Sequence, residues 1–430
     1  MRFKINNGIY KILTSRAIEL IYIVILILIF LLMDMLVLRR HFNFQNYFEL
    51  KLATSVSATY FIAVIIKGIV HRIEGDIEDG LKLETDYNKI INKYAKNLDK
   101  MVCHKKNDLK LIVAKDLKNE NNDDVIYPIL IEYRNYNGHS LGIEDDKDKM
   151  YALPGVIEAN YMKLFSSHKH SKIFNALNIR LDDALVKDDG LVLKTSRTTY
   201  FNSLVTNRAM DHSFGSGLTV RKLFEYGKQI NDLNSSSLSN HLGLNGFFLT
   251  SDQKLVFVKR FKNVSIGKNI LGCSVGASLK TDTALDENGV FSLKGLEDSI
   301  KSEINNELGL EPGDYKFSLN GNIIAFYRDL IEGGKPQLLV MFETKLSAND
   351  LDAKFKAVKI KNNKEKNKNK RNMIIDGTKL VFMDMYDIDL RNNQIIHGSK
   401  KYETIPSVAA SVAVALDYLR QKNKTTNISV

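Results

Sequence analysis

The sequence predicts an α/β protein in which two N-terminal transmembrane helices, a β-rich connector and a C-terminal α/β domain follow one another. Three observations predict this order. Two long apolar segments stand near the start, short strand-like runs follow them, and strands then alternate with amphipathic helices. At 430 residues the chain is too long for one ordinary domain, and its 44% hydrophobic content can supply a core.

The first apolar segment, residues 17–38, consists almost wholly of Ile, Leu, Val, Phe and Met, and it follows an N-terminal stretch over 1–16. Its length matches the ~20 residues that cross a bilayer core. A signal peptide fits less well, because its apolar region is usually ~7–15 residues long and ends at small residues. Here the segment ends at Arg39 and Arg40. We therefore predict a transmembrane helix over 17–38.

A second predicted span, residues 52–70, follows a loop over 39–51 and contains more small polar residues. Ser55, Thr59 and Ala63 recur every four residues, a spacing that lets two helices approach closely in lipid. This face would pack either on the first helix of the same chain or between chains of a homo-oligomer. Two spans put both termini on one side of the membrane.

Basic residues favour a cytoplasmic position for both termini. Positive charge accumulates on the cytoplasmic side of membrane proteins, and Arg2, Lys4, Lys11 and Arg16 precede the first span. Basic residues in the connecting loop weaken this bias. The formal net charge of +11 suits nucleic acid, anionic lipid or a phosphorylated small molecule and does not choose among them.

The segment over 71–190 is predicted to contain a juxtamembrane helix and a β-rich connector. Apolar residues from Leu83 to Met101 fall on one helical face, which would either dock on the chain's own domain or form a two-stranded stalk. Residues 104–190 alternate strand-like runs with polar connections. Cys103 and Cys273 are isolated and are interpreted as plain thiols of a reducing compartment.

From residue 191 the pattern becomes more regular. It predicts, in order, a strand Leu191–Thr195, a helix Val220–Leu233, a hairpin Asn245–Arg260, a Gly-containing strand Ile270–Leu279, further strands Asn322–Arg328, Leu338–Thr344 and Leu380–Met385, and a closing helix Val408–Leu419. The Lys- and Asn-rich insert Lys354–Arg371 is predicted to be a disordered loop.

The most informative motif is GLEDSIKSEINNELGL, which runs from Gly295 to Leu310. Glu303 and Glu307 lie one helical turn apart within it, so their carboxylates could converge on a hard divalent cation such as Mg²⁺ beside a diphosphate. Glutamates at this spacing are also common on exposed helices. The pair alone therefore leaves a metal site and a solvated helix face both open.

With the preceding hairpin and Gly-containing strand, this motif resembles an eroded Nudix box and the running order of a Nudix domain. The resemblance implies a Nudix-like α/β/α sandwich within residues 191–430. The family box reads Arg-Glu-apolar-x-Glu-Glu-x-Gly-apolar, whereas this chain has Ser302 at the Arg position and Asn306 at the first of the paired glutamates. Lys294 stands where an upstream glutamate belongs.

The departures from the box put catalysis in doubt, because fewer carboxylates hold a metal and its attacking water less well. The resemblance therefore implies that no cofactor is required. If the domain were catalytic, Glu303 and Glu307 would be the catalytic and metal-binding residues, with Mg²⁺ as the cation.

Membrane helices followed by a degenerate Nudix domain resemble the transmembrane Nudix effectors of CBASS antiphage systems, which are CD-NTase-associated proteins with a SMODS-associated Nudix domain. The resemblance implies a multi-pass protein of the bacterial inner membrane that senses a cyclic nucleotide, taken here to be a cyclic dinucleotide. The membrane helices would then disrupt the lipid bilayer and cause abortive infection. The expected partners are this ligand, the bilayer and further copies of the chain, with no nucleic acid polymer.

The alternative is a membrane-anchored Nudix hydrolase of nucleoside diphosphate derivatives, which the missing Arg and Glu of the box disfavour. For either function, the candidate ligand-binding residues are bases that could pair with phosphates and aromatic side chains that could stack on a nucleobase. They are Arg221, Lys259, Arg260, Phe326, Tyr327 and Arg328. Each of them could equally be an ordinary surface residue.

Overall fold

A computed structural model describes residues 83–105, 108–111, 125–165, 175–215, 217–260, 270–364 and 377–428. These residues belong to one compact unit that spans 80–430. They include the motif around Glu303 and Glu307 and all six candidate ligand-binding residues.

The structure corrects the predicted fold class and, with it, the predicted inner-membrane location. No helix in the described part of the chain is long and apolar enough to cross a membrane. Even the helix Pro406–Ile428, which has 23 residues, ends in the polar run QKNKTTN and cannot satisfy both conditions. The segments predicted as spans, 17–38 and 52–70, lie outside the described residues.

The described chain contains both helices and strands, which are numbered in chain order. The elements are α1 Tyr87–Lys93, β1 Met101–Lys105, β2 Asp108–Leu111, β3 Val125–Arg134, β4 Ser140–Met150, α2 Gly155–Ala159, α3 Tyr161–Phe165, β5 Leu177–Lys187, β6 Gly190–Thr199, α4 Tyr200–Val205, β7 Ser213–Gly215, β8 Leu218–Thr219, α5 Val220–Phe224, β9 Gly243–Leu249, β10 Lys254–Arg260, β11 Leu271–Gly272, β12 Val275–Ser278, α6 Thr281–Ala284, α7 Leu293–Leu308, β13 Tyr315–Lys316, α8 Leu319–Asn322, β14 Ile323–Asp329, β15 Lys335–Thr344, α9 Ala348–Lys364, β16 Gly377–Asp384, β17 Ile388–Arg391, β18 Gln394–His397, β19 Lys400–Glu403 and α10 Pro406–Ile428.

The largest sheet runs β11-β10-β9-β15-β14-β3-β1-β2, and β12, β16 and β13 pair with β9, β10 and β15. Strands β9 and β15 are parallel, with Gly243 opposite Gln337 and Leu249 opposite Glu343. Strand β3 pairs antiparallel with β14, where Leu130 lies opposite Arg328. Strands from the segment predicted as a connector and from the segment predicted as Nudix-like therefore share one sheet.

Both faces of this sheet are covered by helices. Leu296, Ile300, Ile304 and Leu308 of α7 pack into the core on one face, and the apolar side of α10 packs into the core on the other. Strand β14 is buried on both faces, and its first four residues are all apolar because neighbouring side chains enter opposite cores. The described residues thus form a helix, sheet, helix arrangement of layers.

Local signals explain where α7 begins and ends. The side chain of Ser292 accepts a hydrogen bond from the Gly295 amide and caps the first turn. Gly309 ends the helix in the left-handed region at φ 71°. Gly295 is required for a different reason, since a Cβ there would lie 1.8 Å from the carbonyl oxygen of Ala284. That glycine allows α6 and α7 to approach closely.

The predicted helix over Val220–Leu233 is wrong beyond its first turn. Helix α5 ends at Phe224, Gly227 follows in an irregular segment, and Leu233 begins a short 3₁₀ turn. The apolar residues separate because Val220 and Ile230 belong to different buried clusters. Tyr226, which lies within the predicted helix, is 74% exposed.

The segment before β1 docks on the chain's own domain, which was one of the two interpretations of its apolar face. Ile90, Ile91 and Tyr94 are buried in a cluster with residues of β1, β3 and the turn after β14. The helix is shorter than the pattern suggested, since α1 ends at Lys93 and a 3₁₀ helix Ala95–Lys100 continues.

Two further predictions concern the strand Leu191–Thr195 and the Lys- and Asn-rich insert. Strand β6 contains the predicted Leu191–Thr195 and lies between β4 and β5 in a separate three-stranded sheet. The insert Lys354–Arg371 is wrong as a loop in its first part, because α9 extends to Lys364. Burial of Leu351 and Phe355 against the α7 side of the core explains why that polar sequence is helical.

Candidate functional site

The two glutamates of the box each have a partner within the chain. The Nζ atom of Lys280 lies 3.6 Å from Oε1 of Glu303, whose side chain is 18% exposed. The amide of Gly276 donates to Oε2 of Glu307 at 3.3 Å. Gly276 belongs to β12 and Lys280 follows that strand, so the segment around β12 engages both carboxylates of α7.

The positions that depart from the family box are bonded to each other. The side-chain amide of Asn306 donates to Oγ of Ser302 at 3.4 Å. Neither group supplies a negative charge for a cation or a positive charge for orienting a glutamate. Among the described residues, no group of three or more His, Cys, Asp or Glu is arranged to hold a metal ion. The donor set at α7 therefore fits Mg²⁺ poorly.

Arg221 is part of the core and not of an open pocket. It is 3% exposed, and its guanidinium donates to Asp211 at 2.7 and 2.8 Å and to the carbonyls of Leu330 and Ile331 at 2.7 and 2.6 Å. Burial lowers its pKa, but the hydrogen bond and charge of Asp211 outweigh burial and hold the pKa above its usual range. In this structure the guanidinium of Arg221 is thus held by contacts within the chain.

Arg328 and the two aromatic candidates are also buried. Arg328 is 3% exposed and donates from Nε to the Gly334 carbonyl at 3.1 Å. Phe326 and Tyr327 enter the cores on opposite faces of the sheet. The Tyr327 hydroxyl accepts a hydrogen bond from Ser411 at 3.1 Å. Phe326 and Tyr327 therefore point away from each other, since adjacent residues of a strand point to opposite sides of the sheet.

Lys259 and Arg260, at the end of β10, are partly exposed. Lys259 lies opposite Leu271 of β11 and Lys379 of β16. Arg260 passes over Gly272, where a Cβ would lie 3.1 Å from its Cδ. These two bases are adjacent at one end of the sheet, and Arg221 and Arg328 are held by other contacts elsewhere.

An open polar cleft of about 440 Å³ lies beside the small sheet and is lined mainly by acidic and basic side chains. Its lining residues are Glu144, Asp145, Asp146, Lys149, Arg180, Asp182, Asp183, Lys194, Thr195 and Asn234. Much of this charge is neutralised internally: both guanidinium nitrogens of Arg197 donate to Asp145 at 2.7 Å, and Lys149 pairs with Asp182 at 2.9 Å.

A second group of polar side chains, which we call the inner polar cluster, consists of Arg208, Asn240, His241, Glu332 and Lys335. Asn240 and His241 are 0% exposed, and Glu332 and Lys335 are 6% and 3% exposed. Lys335 and Arg208 lie on either side of Glu332, each 3.4 Å from one of its carboxylate oxygens. The five residues come from three segments that are far apart in sequence.

Burial and charge both shift pKa values in the inner polar cluster. Burial lowers the pKa of His241 well below its usual value, and the charges of Lys335 and Arg208 lower it further. Burial also lowers the pKa of Lys335 to about 8, although Glu332 opposes this shift. His241 is therefore neutral near pH 7 and lies in a positive potential.

The inner polar cluster could not be predicted, because nothing in the spacing of its residues along the sequence suggests that they meet. One local signal was present: Gly333-Gly334 precedes Lys335, and both glycines have positive φ, 66° and 80°. Such a turn returns the chain sharply from β14 to β15. The Glu332–Lys335 pair follows from that turn, whereas Arg208 and His241 arrive through tertiary packing.

Comparison with known proteins adds little to this geometry. No family model matches the chain, and no curated protein matches it. Among solved structures, the chain is similar to DR0079 from Deinococcus radiodurans at 18% identity and a TM-score of 0.16, over 25% of this chain and 56% of that one. The match thus spans little more than half of DR0079, and at that TM-score it supports no statement about fold or activity.

Proposed function

We propose that the described α/β unit is a nucleotide sensor that binds a cyclic nucleotide without hydrolysing it. One observation carries this proposal: both box glutamates are engaged by the chain itself, Glu303 by Lys280 and Glu307 by the Gly276 amide. An ammonium group beside a carboxylate offsets the charge that would attract a cation. The side chains that would complete a metal site are replaced by Ser302 and Asn306.

Pyrophosphate hydrolysis in this kind of site needs a firmly held metal ion. Mg²⁺ prefers a near-octahedral set of oxygen ligands, and a bound metal activates the attacking water and stabilises developing negative charge. With only two partnered carboxylates, α7 supplies neither function well. Binding of an anionic nucleotide needs only hydrogen-bond donors and positive charge, and the chain carries a net charge of +11.

A cyclic dinucleotide is the ligand class we propose, in keeping with the resemblance of the box to CBASS-associated Nudix domains. The competing function is the hydrolase reaction, in which a nucleoside diphosphate derivative would be split at its diphosphate. The two functions differ in one observable, because a sensor returns its ligand unchanged and a hydrolase does not.

The test uses the full chain with a panel of cyclic dinucleotides and nucleoside diphosphate derivatives, each with Mg²⁺ or with EDTA. Calorimetry should detect binding of a cyclic dinucleotide in both conditions, and chromatography should recover that ligand intact. Glu307→Gln should bind as the wild type does, and so should Glu311→Gln, a control in an exposed carboxylate just beyond α7. Product that requires Mg²⁺ and disappears only in Glu307→Gln would establish the hydrolase instead.

A further inference from the structure

The inner polar cluster contains buried polar atoms that the described residues leave without hydrogen-bond partners. These atoms are Nε and Nη1 of Arg208, Nδ2 of Asn240, Nδ1 of His241 and Oε2 of Glu332. Buried polar groups in native proteins nearly always have a partner, and the exceptions mark unseen water, ions or ligands. Several such atoms in one cluster therefore require a common explanation.

These atoms lie close together. The side-chain amide of Asn207 donates both to Oδ1 of Asn240 at 3.0 Å and to the backbone carbonyl of Glu332 at 2.9 Å. Glu332 in turn pairs with Arg208, and His241 directly follows Asn240. Nε2 of His241 is 3.0 Å from Oγ of Ser278, which leaves Nδ1 as the open nitrogen of the ring.

The ion pairs of the cluster are longer than other buried pairs in the same molecule. Glu332 lies 3.4 Å from Arg208 and 3.4 Å from Lys335. By contrast, Arg197 and Asp145 approach to 2.7 Å, as do Arg221 and Asp211. Charge-assisted hydrogen bonds usually close to ~2.7–2.9 Å. The side chains of the inner polar cluster therefore do not satisfy one another fully.

The chemistry of the missing partner follows from the open atoms. Arg208 and Asn240 offer donors, and the charges of Lys335 and Arg208 add to the effect of burial in lowering the pKa of His241. A group with several acceptor oxygens and negative charge fits this set, and guanidinium groups bind phosphate oxygens in the same way. Oε2 of Glu332 faces the Lys335 ammonium at 3.4 Å, so this carboxylate offsets part of the positive charge of the cluster.

We propose that the inner polar cluster binds a phosphate group of the nucleotide, with Arg208 and Asn240 donating to it. The side chain of Arg208 is 12% exposed and is more accessible than those of Glu332 and Lys335, which are 9% and 4% exposed. This assignment rests on the proposed function and gives its ligand a place. It is distinct from the α7 glutamates, so ligand binding here needs no metal.

The experiment measures binding to the full chain by calorimetry, with a cyclic dinucleotide panel and inorganic pyrophosphate as probes. Arg208→Gln should weaken binding of the nucleotide at least tenfold, and Arg208→Lys should weaken it less because the charge is kept. Arg391→Gln, in an arginine whose side chain is 67% exposed, is the matched control and should change nothing. Thermal unfolding of each variant verifies that it is folded.

A second variant keeps the test decisive if Arg208→Gln fails to fold. Aspartate tolerates the φ of 45° observed at residue 240, and Asn240→Asp places a negative charge where a donor stood. This variant should therefore also weaken binding at least tenfold.

Equal nucleotide binding by the wild type and both variants would overturn this site and leave the sensor proposal standing. Pyrophosphate binding that depends on Arg208, without binding of any nucleotide, would support an anion site and overturn the sensor. Absence of binding by both probes would overturn both proposals and leave buried water as the partner of the open atoms.

Discussion

The Nζ atom of Lys280 lies 3.6 Å from Oε1 of Glu303, so the chain's own cation stands beside the first carboxylate of the degenerate box. Lys280 lies between β12 and α6, and its ammonium reaches across to α7. A side chain of the protein thereby replaces part of what a metal ion would contribute. The contact adds to the effect of Ser302 and Asn306: all three features weaken the affinity of this helix for a metal ion.

Restoring the missing groups should restore affinity for Mg²⁺. We expect the combined variant Lys280→Ser, Ser302→Arg and Asn306→Glu to be stabilised by Mg²⁺ in thermal unfolding, because binding to the folded state alone raises its stability by mass action. The wild type should respond much less. Lys294→Ser, in an exposed lysine of α7, is the control. An equal Mg²⁺ response of the wild type and the restored variant would contradict the account of this site.

Gly309 should tolerate no side chain. Its φ of 71° disfavours other residues, and a Cβ would lie 2.2 Å from Cγ2 of Val358 in α9. We expect Gly309→Ala to lower the free energy of unfolding by about 1–3 kcal/mol in denaturant titration, from backbone strain and overpacking together. Gly313→Ala is the control, because nothing lies within 4 Å of its added Cβ. Equal stability of both variants would show that α7 and α9 separate easily.

Replacing Arg221 should lower the free energy of unfolding, because this side chain is part of the core. Its replacement by alanine removes the ion-pair partner of Asp211 and the side-chain donor to the carbonyls of Leu330 and Ile331, and breaking a buried ion pair typically costs about 3–5 kcal/mol. Lys222→Ala, in the exposed neighbouring residue, should cost little. Denaturant unfolding measures both effects. Normal stability of Arg221→Ala with loss of nucleotide binding would instead return this arginine to the ligand site.

Glu225 should make stability depend on pH. Burial raises its pKa from 4.5 to about 7, against the opposing effects of the Asn231 amide and of Arg328. Between those values the folded state holds a proton that the unfolded state has lost, so stability falls as pH rises from about 4.5 to about 7.

Glu225→Gln should remove this part of the pH dependence. The difference in unfolding free energy between pH 5 and pH 8 should shrink by up to ~3 kcal/mol, since one pKa unit corresponds to about 1.4 kcal/mol. Glu287→Gln, in an exposed glutamate, serves as the control for the general effect of removing a carboxylate. Identical pH profiles for the wild type and Glu225→Gln would show that the carboxyl titrates normally.

Elements with strong local signals could be predicted from sequence. The motif ending in Gly309-Leu310 predicted a helix, and α7 occupies it because its apolar residues repeat at helical spacing and its ends carry Ser292 and Gly309 as caps. The hairpin of β9 and β10 was also predictable, since Ser251–Gln253 form its turn and Gln253 takes a φ of 59°. In both cases the deciding contacts are local.

Features decided by distant contacts could not be predicted. The apolar pattern of Val220–Leu233 was interpreted as one helix, yet Val220 and Ile230 are drawn into different buried clusters. Arg221 and Arg328 were chosen as ligand-binding residues because they are basic, and only the fold reveals that both are buried and donate to backbone carbonyls. Arg208 and His241 could not be recognised as members of one cluster, because the residues around them come from remote segments of the sequence.

The most direct test of the central claim is phosphorus NMR of the full chain mixed with a cyclic dinucleotide and Mg²⁺. Binding without turnover predicts that the ligand's phosphodiester resonances shift or broaden in proportion to added protein and keep their combined intensity over hours. Growth of new phosphomonoester or phosphate resonances at the expense of the ligand would contradict the claim and identify the protein as an enzyme.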